Sequence, residues 1–198
     1  MTAHNLARGS APVALLLLDV INDLEWEGGE LLVDHFEAMA PNLAALTERA
    51  RAAGIPVIYV NDNYGQWRSD MRSLVRHCLN DGVRGQRVVS LLQPAPDDYF
   101  VLKPMHSGFF ATALELLLQY LGARTLVLTG VAGNICVLFT ANDAHMRGFQ
   151  VVAPADCLAS NTPEDNAFAL EQMSRVMGAD ITRSTALDLR GLLAVAGT

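Results

Sequence analysis

An aspartate, a lysine and a cysteine each follow a separate apolar run of this chain, and together they have the makings of a nucleophilic site. Asp19 lies at the end of VALLLLDV (13–20), Lys103 near the end of DYFVLKP (98–104), and Cys136 just beyond TLVLTG (125–130). A thiolate beside an ammonium has a depressed pKa, and a carboxylate within reach can carry a proton to a leaving group. Each residue also has a plainer use. Asp19 could cap the turn formed by Val20, Ile21, Asn22 and Asp23, and Lys103 could point into solvent, since lysine is rarely buried without a partner. Cys136 could be a buried structural thiol, the reading favoured for Cys78 and Cys157. In the functional reading, Cys136 falls in the first turn of a helix, where the dipole and free N–H groups favour a thiolate.

The elements around these residues alternate. Apolar runs at 13–20, 55–62, 98–104, 125–130, 149–156 and 179–184 read as strands, the first one buried on both faces. Between them lie helical patterns around 38–53, 70–79, 111–122, 134–147 and 163–177, with a last helix from about 185. Thr162-Pro163-Glu164-Asp165 opens the 163–177 helix with a capping hydroxyl, proline at the first position and carboxylates on the positive end of the dipole. This order predicts an α/β fold, a three-layer α/β/α sandwich on a six-stranded parallel, Rossmann-like sheet. Right-handed crossovers then bring every strand's C-terminal end to one edge, where ligands bind at the reversal of strand order. Asp19, Asp62, Lys103, the turn after Thr129-Gly130, and Asp156 all lie there. No linker or repeat interrupts the pattern, so one domain over 1–198 with a core of about 13–185 is expected.

The chain has 198 residues, 51% hydrophobic and 18% charged, which excludes a disordered protein. Its 14 basic and 21 acidic residues give a net charge of −7, with no basic run, which argues against nucleic acid as a partner. No apolar segment approaches the roughly 20 residues a membrane span needs. Three cysteines without CxxC or finger spacing, and no secretory leader, suit a reducing cytoplasm. The turn after the first strand lacks GxGxxG, which weighs against a nucleotide binder.

The motifs resemble those of the isochorismatase-like cysteine hydrolases over roughly residues 13–185. The family's D-x-x-N-D appears as Asp19-Val20-Ile21-Asn22-Asp23, with Ile21 where many members carry Gln. Its lysine motif is matched by Lys103-Pro104-Met105-His106-Ser107-Gly108-Phe109, and its nucleophile motif by Thr129 through Val137, continuing into Thr140-Ala141-Asn142-Asp143-Ala144. The resemblance implies that Asp19 transfers protons, Lys103 stabilises the thiolate and Cys136 is the nucleophile. It also implies a cis peptide at Val131-Ala132, and an oxyanion hole made by the N–H groups of Ala132 and Cys136. A homodimer or homotetramer is a further implication.

Substrate contacts are expected from Asn61, Asp62, Tyr64, Trp67, His106 and Phe109. Tyr64 and Trp67 suit a pocket wall or lid, or equally a surface loop, and Phe109 and Phe110 suit pocket or core. Nicotinamidases of this family bind a metal near the second strand through an aspartate and several histidines. Asp62 could match the aspartate, but Asn63, Tyr64 and Gln66 follow it, and His35 and His77 fall in segments predicted elsewhere. No metal and no cofactor is therefore expected. The resulting expectation is hydrolysis of a C–N bond in a small amide, lactam or ureido compound through a thioester. The alternatives are isochorismate-type vinyl ether hydrolysis, which Cys136 argues against, and a thiol-sensing binder without catalysis.

Overall fold

A computed structural model describes residues 11–65 and 70–196 of the chain. Trp67, expected among the substrate contacts, lies outside the described residues. Strand β1 (Val13–Leu18) is central, flanked by β2 (Val57–Asp62) and β4 (Thr125–Val131), with β3 (Tyr99–Lys103) beyond β2 and β5 (Gln150–Val152) beyond β4. All of these pairings are parallel. The order β3-β2-β1-β4-β5 reverses direction at β1, so the crevice between the C-terminal ends of β1 and β4 is the natural ligand position.

The apolar run of β1 is continuous because its two faces belong to two cores. Val13, Leu15 and Leu17 pack with Leu32, Phe36 and Leu43 of α1 (Glu30–Ala52), Leu74 and Cys78 of α2 (Met71–Asn80), and Val88 and Val89 of α3 (Gln86–Leu91). Ala14, Leu16 and Leu18 pack with Leu114 and Leu118 of α4 (Leu114–Leu121), Ala141 and Ala144 of α5 (Leu138–Met146), and Ala169 and Met173 of α6 (Pro163–Met177). Helices thus cover both faces of the sheet. The final helix, α7, is Leu189–Ala196. No described helix is long and apolar enough to cross a membrane.

The α6 N-terminus matches its sequence signature: the Thr162 hydroxyl accepts from the Asp165 N–H at 3.1 Å, with Pro163 as the first helical residue. Other boundaries differ. Helix α1 begins eight residues before the expected 38, because Leu32 and Phe36 continue its buried stripe. Helix α3 was not expected at all. The sixth strand is β6 (Leu158–Ala159), which pairs with Gly130 and Val131 at the end of β4. Residues 179–184 contribute one bridge only, Asp180 to Val152.

The physical reason lies in Pro154 and Asp156. Proline has no N–H to continue the β5 ladder, and the Asp156 carboxylate accepts from the Ser184 N–H and hydroxyl at 2.6 and 3.0 Å. The last segment is therefore held by a side chain rather than by a ladder, and Asp156 serves that purpose.

Candidate active site

The D-x-x-N-D segment leaves β1 through Asp19 at φ 52°, a left-handed conformation that L side chains rarely adopt. It is fixed from β2. The Asn61 side chain accepts from the Ile21 N–H at 3.2 Å and donates to the Ile21 carbonyl at 2.7 Å. Asn61 is fully buried in this task, which corrects its expected place among the substrate contacts. From the other side, the Gly85 N–H donates to the Asp23 carbonyl at 3.1 Å, and the Arg84 guanidinium donates to the Leu24 carbonyl at 3.0 Å.

Lys103 ends β3 in register with Asp62, and its side chain has no solvent exposure. Its Nζ lies 2.8 Å from Asp19 Oδ2, 3.4 Å from Asp62 Oδ2 and 3.6 Å from Cys136 Sγ. Asp19 Oδ1 accepts from the Asp62 N–H at 2.6 Å. Cys136 lies in a π-helical turn, Gly133–Val137, that runs directly into α5. The peptide Val131-Ala132 before that turn is cis.

The lysine and cysteine segments are also tied to each other. The Gly108 N–H donates to the Thr140 hydroxyl at 2.9 Å, and that hydroxyl donates to the Cys136 carbonyl at 2.7 Å. Ser107 Oγ donates to Asp143 Oδ2. A Cβ at Gly108 would come within 3.0 Å of Val60, so the glycine permits this close approach.

Burial raises the Asp19 carboxyl above its ordinary range, against the opposing pull of the Lys103 charge. Burial likewise works against the Lys103 ammonium, but Asp19, Cys136 and Asp62 outweigh it, and Lys103 holds its proton more tightly than usual. Burial, and then the Asp19 charge, push the Cys136 thiol up; Lys103 opposes them only in part. This corrects the expectation of a depressed thiol. The thiol thus lies 3.6 Å from the Lys103 ammonium, with burial and the Asp19 charge favouring its protonated form.

Asp19, Asp62, Tyr64, His106, Ala132 and Cys136 line one cavity of about 290 Å³. His106 Nδ1 lies 4.0 Å from Cys136 Sγ, and its ring packs against Phe139 at 5.5 Å between centroids. Phe109 does not line the cavity. It is a core residue, with its ring 5.9 Å from that of Phe149 and the Arg147 guanidinium 4.8 Å above it. Asn22, Trp26, Leu32, Val131, Ile135 and Asn161 complete the wall and were not anticipated. Trp26 carried a readable signal, since it follows β1 on the same sheet edge as Asp19. A larger cavity of about 360 Å³ lies between α1 and α6 and shares no residue with Asp19, Lys103 or Cys136.

Residues 13–186 match the profile of the isochorismatase domain. The chain belongs to the isochorismatase family. It is 46% identical over 172 residues to the uncharacterized isochorismatase family protein YaaI of Bacillus subtilis, covering 87% of this chain and 94% of that one. It is 30% identical over 167 residues to the ureidoacrylate amidohydrolase RutB of Methylorubrum extorquens, covering 72% and 67% of the two chains. Its fold superposes on the crystal structure of N-carbamoylsarcosine amidase from Thermoplasma acidophilum with a TM-score of 0.70 at 30% identity, over 89% of this chain and 98% of that one.

The sequence placed His77 away from Asp62, and here the structure differs. His77 lies on α2, in the wall of a second cavity that Asp62 and Asp23 also line. Its Nδ1 is 2.7 Å from Asp81 and its Nε2 3.3 Å from Asp23. Both ring nitrogens thus have partners. Among the described residues, no group of three or more His, Cys, Asp or Glu side chains is arranged to hold a metal ion.

Proposed function

We propose that this chain is a cysteine hydrolase that cleaves a C–N bond of a small amide, lactam or ureido compound through a thioester. The observation that carries this is the contact of one buried ammonium with both a carboxylate and a thiol, 2.8 and 3.6 Å away, at the wall of a cavity. The two relatives named as an amidohydrolase and an amidase act on C–N bonds by their names, which supports the same reaction class.

As Cys136 Sγ bonds to the substrate carbonyl carbon, its proton passes to Asp19. A carboxyl raised by burial suits this exchange, because its proton affinity is closer to that of a thiol. Lys103 stabilises the negative charge while it moves from carboxylate to sulfur. The oxygen anion then accepts from the N–H groups of Ala132 and Cys136, and each such donor is worth about 2.7–4 kcal/mol of barrier. When the C–N bond breaks, Asp19 hands its proton to the leaving nitrogen. Water next attacks the thioester, losing a proton through Asp19, and sulfur leaves to recover the thiol. Asp62, Tyr64 and His106 contribute the polar wall that orients the substrate.

The test is ammonia or amine release across a panel of small amides, with intact-mass detection of the acyl-enzyme. Cys136→Ala should abolish turnover without unfolding the protein, and a tenth or more of wild-type activity in that variant would overturn the assignment. Because His77 already serves Asp81 and Asp23, EDTA should leave kcat/KM unchanged. Equimolar metal lost together with activity would contradict that.

A further inference from the structure

Two cavities meet at the end of β2. The reaction cavity of about 290 Å³ has Asp62 and Tyr64 in its wall, and so does a second chamber of about 260 Å³. The chamber's polar lining comes from Asp23, Asp62, Asn63, Tyr64, Ser73 and His77. We propose that Tyr64 is a specificity-determining partition: its side chain closes the reaction cavity against this acidic chamber and so limits how long an amide can be accommodated. The proposal deepens the hydrolase reading and rests on it.

Of the two shared residues, Asp62 is fixed by its backbone. It lies in the β2–β3 ladder opposite Lys103, and its N–H is bonded to Asp19. Tyr64 is therefore the shared wall residue whose side chain can be changed without disturbing the ladder. Its position is set by the tight turn Asp62-Asn63-Tyr64-Gly65. In that turn the Tyr64 N–H donates to Asp62 Oδ1 at 2.7 Å, and the Gly65 N–H donates to Asn63 Oδ1 at 2.9 Å. Tyr64 has φ 49°, a conformation in which glycine or asparagine is at ease. Tyr64 keeps 36% of its surface exposed, so it is a wall residue rather than part of the core.

The chamber's chemistry says what would use the space if the partition were removed. Four carboxylates, Asp19, Asp23, Asp62 and Asp81, face the two basic side chains Lys103 and His77 in and around the chamber, an excess of negative charge that favours a terminal ammonium over a methyl group or a carboxylate.

The probes are the n-alkanamides from acetamide to hexanamide and their ω-amino counterparts, tested on wild type, Tyr64→Gly and Tyr64→Asn. Both replacements suit the left-handed turn. Ammonia release gives kcat/KM, and protection of Cys136 from iodoacetamide gives occupancy whether or not the amide is cleaved. Wild type should lose kcat/KM and protection as the chain lengthens. In both variants the fall with chain length should be shallower than in wild type, whatever their activity on acetamide, and ω-amino ends should be favoured over ω-methyl ends by about tenfold. Identical chain-length profiles in all three proteins would overturn the partition, as would the absence of protection by any member. Protection that lengthens in the variants without ammonia release would uphold the partition and refute the hydrolase reading.

Discussion

Lys103 is a full charge with no solvent exposure, held by Asp19 and Asp62 on one side and the Cys136 thiol on the other. Removing one partner from such a group leaves the others uncompensated, so the two neighbours of the thiol should be separable by sign. Lys103→Met removes the cation that lowers the thiol pKa and leaves the anion that raises it. The pH at which Cys136 reacts with iodoacetamide should rise by roughly one to three units. Asp19→Asn removes the opposing influence, so that pH should fall or stay, while turnover stops for lack of a proton carrier. Shifts in the same direction would show that the three groups do not act on one thiol. Cys78 and Cys157 are fully buried, and replacing either should leave kcat within a few-fold. At this scale, sequence position locates the three groups because each lies at or just beyond the C-terminal end of a parallel strand. The Cys136 thiol was misread, because the burial that dominates it depends on residues far away in the chain. Asn61 and Phe109 were misassigned for a related reason: polarity and size do not say whether a side chain turns toward a neighbouring loop or toward the cavity.

The elements show how the D-x-x-N-D segment is kept in place, and α3 has the largest unforeseen share. A six-residue helix with two buried valines has too short a pattern to be read as periodic. The close approach at its start is a tertiary fact. A Cβ on Gly85 would lie 1.8 Å from the Asn22 carbonyl oxygen, so the backbone on one side must move. Gly85→Ala should therefore cost on the order of 2 kcal/mol or more in denaturant unfolding. It should also lower kcat/KM, since the segment it displaces begins at Asp19. Gly82 provides the contrast. Its φ of +71° strains an alanine, but nothing lies within 4 Å, so Gly82→Ala should cost only about 1 kcal/mol and leave kcat/KM close to wild type. Equal effects of the two substitutions on kcat/KM would remove α3 from the positioning of the site. The sheet was legible for the opposite reason. Runs such as Val13–Leu18 are apolar at every position, and only a strand between two helix layers needs that. The sixth strand escaped because β6 has two residues, and its pairing depends on where β4 ends rather than on its own composition.

For the whole molecule, one of the two cores flanking the sheet carries a cost that appears only at high pH. Cys78 lies in the core under α1 and α2, and Cys157 in the same core near β6. Burial raises both thiols from an ordinary 9.0 to about 12. A group whose folded pKa is raised contributes its full stability below its unfolded value, and loses it as pH rises toward the folded one. Here the unfolded chain begins to lose these protons near pH 9, while the folded chain keeps them until about 12. Stability must then fall with pH through that window, by on the order of 2 kcal/mol per thiol at its midpoint. Replacing both residues with alanine removes this dependence but leaves small cavities, at about 1–2 kcal/mol each whatever the pH. The double variant should thus be less stable than wild type at pH 7, with the gap closing as the pH is raised and the two curves meeting near the middle of the window. Urea unfolding at a series of pH values measures this directly. Parallel curves from pH 7 to 11 would show that neither thiol keeps its proton in the folded state beyond its unfolded range, and that this core admits more water than its packing implies.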